Sequence, residues 1–529
     1  MNQILKRSNQ KIKHLKDQKI NMKRTNPTSI RFLFSLTIFL CLAVISYAQK
    51  EIVPDITPDE LYEKMANNPS FKENSKGEAF CWHARSGMDQ FVDNYELTKN
   101  TGWLDAGVKY YDFLISKMET GPDGYKGWIG PYMYDNKYWI DSHVGDAILL
   151  NGILDFSVLV IEDKTLKGKY GDKAKAYTEI AKKHLIEKND KRGTWKEDGA
   201  IGAYISYEKY MEPGNLKEWK YGSEVIKSGL SHPFNKQADM AQVCMRIYRI
   251  TGEKFYFDRA EKIFLRMKRQ LQLTDNHYEW NYWEPFGPWD IDLEKKTTRH
   301  WVGINPSAGY QSREVAQMVD AYHTGIVFDE TDMKRLINTH LDVMWNKDTE
   351  KPGFTNSYVA HGPQKPNEKP TGTLWTSLLD FDQRIRDLYK TRFEENSSAS
   401  PAYLHYENII SKTPPDFKRK YAKGPVKLPL VNFSDTKDLR MAVVIPGVIK
   451  KGGKFIIANS AWQSDDELEV ALYSKNGKDK LASLYKSKNQ MNIIEWDGTD
   501  PEKKDHFKGD YRIRWTLGNG YREYAITIK

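Results

Sequence analysis

Two distant stretches of the chain share one layout. FVDNYELTKNTGWLDAGVKYYDFLISKM (91–118) carries apolar residues three and four apart, broken by a Gly-containing turn, and MAQVCMRIYRITGEKFYFDRAEKIFLRMKRQL (240–271) repeats the pattern. Tyr95-Glu-Leu-Thr matches Tyr248-Arg-Ile-Thr, and Leu104-Asp-Ala stands opposite Phe257-Asp-Arg-Ala. That spacing lays the apolar residues along one stripe of a helix, so each stretch is a helix, a short turn and a second helix. One hairpin cannot bury its stripe alone, so several must close on one another. Further helical runs at 143–163, 174–188, 312–327, 332–345 and 374–393 supply them. About five to seven hairpins fit the length at ordinary helix and loop sizes. The economical closure is an α/α toroid over residues 55–395.

The connections 121–141, 273–309 and 352–373 are long and rich in Trp, Gly and Pro, and a toroid gathers such loops at one mouth. Loops on a rigid scaffold carry function more often than cores do. After Asn396 the character changes. Residues 396–437, with SSASP, KTPPDFKRK and KGPVKLPL, read as a linker or a wrap across the helical domain. From 438 to 529 short alternating runs (KFIIANS, ELEVALYS, MNIIEW, YRIRWTL, YREYAITIK) are separated by KKGG, KNGK and LGNG. Period-two runs between Gly turns predict a small antiparallel β-sandwich. Its WDGTDPEKKDHFKGDYRIRW passage (496–515) resembles the C-terminal immunoglobulin-like domains of secreted bacterial proteins.

The net charge of +9 is a local effect. Nine of the 80 basic residues and one of the 71 acidic ones fall in 1–48, which leaves 71 against 70 elsewhere. A near-neutral body argues against a nucleic-acid binder. The basic segment runs into FLFSLTIFLCLAVISYA (32–48), short for a membrane span and ending in Ser46-Tyr47-Ala48. This predicts a secretory signal over 1–48, a secreted or periplasmic protein, and no stable membrane association after cleavage. Cys81 and Cys244 alone remain, too few for a disulfide framework. No CxxC, HExxH, Walker or GxGxxG pattern occurs.

Four segments place polar chemistry at predicted helix starts. FCWHARSGMDQF (80–91) brings His83 and Arg85, and YDNKYWIDSHVGDA (134–147) brings Tyr138, Trp139 and His143. SGLSHPFNKQAD (228–239) brings His232 and Asn235, and TRHWVGINPSAGYQSRE (298–314) brings Arg299, His300, Tyr310 and Arg313. These are the parts of a β-elimination from a uronic acid. Arg, His or Asn on the carboxylate stabilises the enolate-like charge as the C5 proton leaves. His143, His232, His300 and Tyr310 are the candidates for proton removal and donation. His83, Arg85, Asn235, Arg299 and Arg313 are candidates for holding the anion, Arg by two parallel bonds. No metal or cofactor is required. Taken singly, each of these residues also suits a helix cap or a core position.

YEWNYWEPFGPWD (278–290) adds Trp280, Asn281, Trp283 and Trp289. At the mouth, Trp280, Trp283 and Trp289 would stack on sugar rings while Asn281 bonds hydroxyls. The same residues also suit a lid packed on the β domain. Glu284 and Asp290 raise a rival, since two carboxylates beside a sugar platform are what a glycoside hydrolase uses.

The signal segment, the Trp/Tyr-rich helical domain and the terminal β domain together resemble secreted enzymes of marine Bacteroidetes that act on ulvan. The nearest resemblance is to the ulvan lyases of polysaccharide lyase family 40 and the related ulvan oligosaccharide dehydratases. It is architectural, spans most of the chain beyond residue 48, and carries no catalytic residue across. It implies an anionic polysaccharide or oligosaccharide substrate of sulfated rhamnose alternating with glucuronic or iduronic acid. The expectation is a lyase that leaves a 4,5-unsaturated uronate. A dehydratase acting at a non-reducing end, a glycoside hydrolase and a non-catalytic glycan-binding protein are the alternatives.

Overall fold

The computed structural model describes residues 54–131, 139–206, 228–300, 302, 308–355, 372–394, 401–422, 425–429, 431, 439–461, 466–488 and 491–529. The signal segment 1–48 and Tyr138 lie outside these residues.

The helical body is a ring of hairpins. Its helices are α1 (Pro58–Ala66), α2 (Gly77–Arg85), α3 (Asp89–Thr98), α4 (Gly102–Ser116), α5 (His143–Glu162), α6 (Lys167–Ala181), α7 (Phe234–Thr251), α8 (Lys254–Gln270), α9 (Ala308–Thr324), α10 (Glu330–Asn338), α11 (Gln383–Glu394) and α12 (Pro401–Asn408). Local signals set their ends. Thr57 Oγ1 accepts from Glu60 N while Glu60 accepts from Thr57 N, a reciprocal cap that starts α1. Gly252, at φ 76°, stops α7 in the left-handed conformation that glycine adopts without a Cβ penalty.

The inner ring runs α3, α5, α7, α9, the short turn Thr376–Asp380 and α11, with α12 returning to α3. At that seam Tyr389 of α11 meets Tyr406 and Tyr403 of α12, ring centroids 4.8 and 6.3 Å apart. Helices α4, α6 and α8 back the inner ones. This arrangement is an α/α toroid. It explains why α5 is apolar on nearly every side: it packs on α2, α3, α6 and α7. Among the described residues, the few short ladders in this body are all antiparallel.

The region read as a linker or a wrap holds a helix and a stretch across the helical body. α12 completes the ring, and the chain beyond it lies across the helices: Asp416 N donates to Asp380 O, Arg419 to Phe328 O and Tyr421 N to His323 O, at 2.8–3.0 Å.

The β domain has two sheets. Strands β1 (Leu439–Ile445), β3 (Phe455–Ala461) and β6 (Met491–Trp496) form one, in the order β1-β3-β6. Strands β2 (Val448–Ile449), β4 (Leu468–Ser474), β5 (Lys480–Ser487), β7 (Gly509–Leu517) and β8 (Gly520–Ile528) form the other, in the order β2-β8-β7-β4-β5. All pairings are antiparallel except the two-residue pair of β2 with β8. Alternation divides β1 between two cores. Ala442 and Val444 face the core between the sheets, whereas Met441, Val443 and Ile445 pack with Ile291 of the helical body. The segment that follows the aromatic stretch is thus the floor on which the β domain sits.

Candidate functional site

The site begins where two inner helices start. His143 is the first residue of α5, and His232 lies two residues ahead of Phe234, the first of α7. Neither N-cap residue, Ser142 or Pro233, makes a side-chain cap. The positive ends of two long helices therefore converge here. The two imidazoles meet edge to face, centroids 4.1 Å apart at 86°. Both are buried, and neither Nε2 has a hydrogen-bond partner among the described residues. Asn235 Oδ1, Asp239 Oδ2 and Gln317 Oε1 are buried and unpartnered in the same neighbourhood. Buried polar atoms are nearly always satisfied, so this concentration marks a place built for a ligand. Burial, then the charges of Lys236 and Lys188, push the His143 imidazole down to about 3. Burial, then His143 and Lys236, hold His232 well below the ordinary histidine range. Burial thus favours the neutral form of both rings.

Each histidine is fixed from behind. Ser142 Oγ donates to Glu78 Oε2 at 2.8 Å, and the carboxylates on either side, Asp141 and Asp146, bind the buried Lys188 at 3.0 and 2.5 Å. His232 N donates to Tyr204 O at 3.2 Å, and Gln237 ties Tyr204 at both its N and its O. Ser231 is clamped by the aromatic stretch. Its N and Oγ donate to Asp290 at 2.8 and 2.7 Å, and its carbonyl accepts from Trp283 Nε1 at 2.6 Å.

Polar and aromatic groups rim the pair. Lys236 Nζ lies 3.9 Å from Glu78 Oε1, which also accepts from Trp82 Nε1 at 3.3 Å. Arg313 lies over the Trp82 ring at 4.7 Å and pairs with Asp239 at 2.6 Å. Gln317 donates to Asp239 and to Asn235 O at 2.7 and 3.1 Å. His300 stacks on Trp283 at 5.1 Å and is within electrostatic reach of His232. Tyr282 lies 6.3 Å from His300 and stacks at 5.3 Å on Tyr310, which is exposed.

The structure thus brings His143, His232, Asn235 and Arg313 together, with His300 and Tyr310 joined through Tyr282. Lys236, Glu78, Trp82, Asp239 and Gln317 were not singled out from sequence. Glu78 and Trp82 stand four apart on one helix face, a signal that was available.

Other expected site residues lie elsewhere. His83 and Arg85 are not at a helix start but in the last turn of α2. His83 Nε2 lies 3.5 Å from Asn74 Nδ2, and Arg85 pairs with Asp89 at 2.8 Å. Arg85 abuts Gly152, more than two turns along α5 from His143. Arg299 is exposed on a turn, where its N donates to Asp290 O and its charge acts on Asp292. Trp280, Trp283 and Asn281 are not a sugar platform: all three are at most 1% exposed. Their donors point inward, Trp280 Nε1 to Glu314 at 2.6 Å and Asn281 Nδ2 to Glu284 at 2.7 Å. Glu284 and Asp290 do not flank a cleft either. Asp290 is spent on Ser231, Phe286 N and Gly287 N. Burial pushes the enclosed Glu284 up to about 7 against the pull of Arg522.

A scaffold role for Trp283 has a measurable consequence. Trp283→Ala is expected to cost about 3–5 kcal/mol, the range for a large aromatic lost from a core, read from the urea midpoint. Wild-type stability with weakened glycan binding would instead return this indole to the sugar.

No protein-family model matches the chain, and no curated protein matches it in sequence. Solved structures with a partly similar course include a GH76 α-mannanase of Bacteroides thetaiotaomicron, at 10% identity and a TM-score of 0.35, covering 63% of this chain and 69% of that one. An inactive variant of the α-1,6-mannanase GH76A of Salegentibacter sp. HEL1_6, in complex with α-1,6-mannotriose, gives 11% identity and a TM-score of 0.36, covering 62% of this chain and 78% of that one. Likeness at this level says nothing of what this chain acts on.

Proposed function

We propose that this chain is a polysaccharide lyase acting outside the cytoplasm, which cleaves a uronate-containing sulfated polysaccharide, ulvan, by β-elimination. One observation carries the reading: two neutral imidazoles, His143 and His232, 4.1 Å apart with unpartnered Nε2 atoms at the convergent starts of α5 and α7. A uronate carboxylate placed there meets two helix N-termini and the Lys236 charge, which suit an anion and suit the enolate-like intermediate better. The C5 proton passes to an imidazole, the C4–C5 double bond forms, and the C4–O bond breaks with its electron pair leaving on O4. In this reading Tyr310 supplies the proton to that oxygen. A base held near 3 is weak when the site is empty. The incoming carboxylate adds the opposite charge and raises the imidazole toward useful basicity, so the substrate completes its own base. Of the nearby carboxylates, Glu78 is bound by Ser142 and Trp82, and Asp239 is held through Oδ1 by Arg313 and Gln317 with its Oδ2 unpartnered. Hydrolysis would need two available carboxyl groups, and Glu78 is committed.

The test is purified protein on ulvan, with near-ultraviolet absorbance and new reducing ends followed together. Both are expected to rise in step. Absorbance without new ends would identify dehydration, and new ends without absorbance would identify hydrolysis and overturn the lyase reading.

A further inference from the structure

The seam where α12 closes the ring onto α3 carries a second cluster, away from the histidine pair. Asp93 and Glu96 stand three apart on one face of α3, and His405 reaches them from α12. One ligand atom from each lies within 4.8 Å of the other two. His405 Nε2 and Glu96 Oε2 are 3.1 Å apart. A cavity of about 290 Å³ opens beside them, with Asp89, Asp93, Glu96, Asp155 and Glu162 among its lining.

The charges in that cavity are unevenly compensated. Asp89 pairs with Arg85, Asp155 with Arg246 and Glu162 with Arg249, at 2.6–2.9 Å. Among the described residues, no lysine or arginine pairs with Asp93 or Glu96; His405 bonds Glu96 and acts on Asp93 through its charge. Two partly buried carboxyl groups stand against one histidine, so the cluster is short of positive charge whenever both are ionised. The donors also come from two segments, α3 and α12, that pack on each other here. We propose that Asp93, Glu96 and His405 form a binding site for one divalent transition-metal ion of the Zn²⁺ type, which clasps the seam of the toroid. One imidazole nitrogen and two carboxylate oxygens are a donor set such ions accept, and the cavity has room for water to complete the coordination. The ion would replace the His405–Glu96 hydrogen bond with a bond to each partner and supply the missing positive charge. This role is structural and does not depend on what the toroid acts on.

The test uses metal-stripped, full-length folded protein, with ZnCl₂ as the probe and CaCl₂ as the control. Titration calorimetry is expected to show one Zn²⁺ bound per chain, a Tm raised by a few degrees, and slowed amide exchange confined to α3 and α12. Asp93→Asn keeps the side-chain shape, and His405→Gln keeps a polar group. Each is expected to weaken Zn²⁺ binding at least tenfold, whereas His143→Gln leaves it unchanged. Binding that survives both seam variants and is lost in His143→Gln would move the ion to the histidine pair and overturn the proposal. So would no Zn²⁺ binding by the wild-type protein, or binding of Ca²⁺ alone.

Discussion

Turnover of ulvan by His232→Ala is expected to fall by about 10²–10⁴-fold, the range for losing a positioned proton-transfer group. His232 sits in the loop entering α7, with its Nε2 unpartnered and its backbone held independently through Tyr204 and Gln237. The side chain can therefore leave without dismantling what holds the loop. Its burial also costs desolvation that no hydrogen bond to Nε2 repays, so truncation removes a burden as well as contacts. A thermal midpoint near that of the wild type is expected beside the loss of rate. His300→Ala should lose less, because that ring stacks on Trp283 and bears on His232 electrostatically. Steady-state kinetics on the folded variants, followed by absorbance, separate the cases. Wild-type turnover in His232→Ala would end the imidazole mechanism.

The hairpins were legible because an apolar stripe at helical spacing has few other uses, and the β domain because alternation between Gly turns has few others. His143 and His232 could be found because a helix start is a local property. What brings Glu78, Ser142 and Lys236 together is ring closure, which no local window contains. Position on α2 explains the displaced pair: Arg85 shares the face of Glu78 and Trp82 but falls a turn lower among Asp89, Asp155 and Arg246, while the phase of His83 takes it off that face. The aromatic stretch was ambiguous in principle. Trp and Asn with carboxylates suit a sugar platform and a buried hydrogen-bonded scaffold equally, and only the direction of the indole N–H groups decides. α12 hid inside a segment read as linker because it is eight residues long and buries itself chiefly through Tyr403 and Tyr406.

A large effect on stability is expected at Lys188. Its ammonium is wholly buried, 2.5 Å from Asp146, 3.0 Å from Asp141 and 3.1 Å from Lys126 O. Arg192 adds a second cation on Asp141 at 2.8 Å. Gly127 makes the room, since a Cβ there would lie 2.3 Å from Asp141 Oδ1 and 2.9 Å from Lys188 Nζ. Burial raises both carboxyl groups. In Asp141 the pull of Lys188 and Arg192 outweighs it and the group ends below its ordinary value, whereas Asp146 is left at about 6. Lys188→Met keeps most of the volume but strands two carboxylates in the interior with one arginine between them. Breaking a buried pair from one side typically costs 3–5 kcal/mol, so a loss of about 4 kcal/mol is expected, read as a lower urea midpoint. Adding Asp146→Asn should restore part of it, because the stranded charge and not the missing ammonium is the larger cost. Asp141 and Asp146 bracket His143, so the single variant should also lose turnover through a loosened start of α5. An unchanged urea midpoint in Lys188→Met would mean that this cluster does not hold His143 in place.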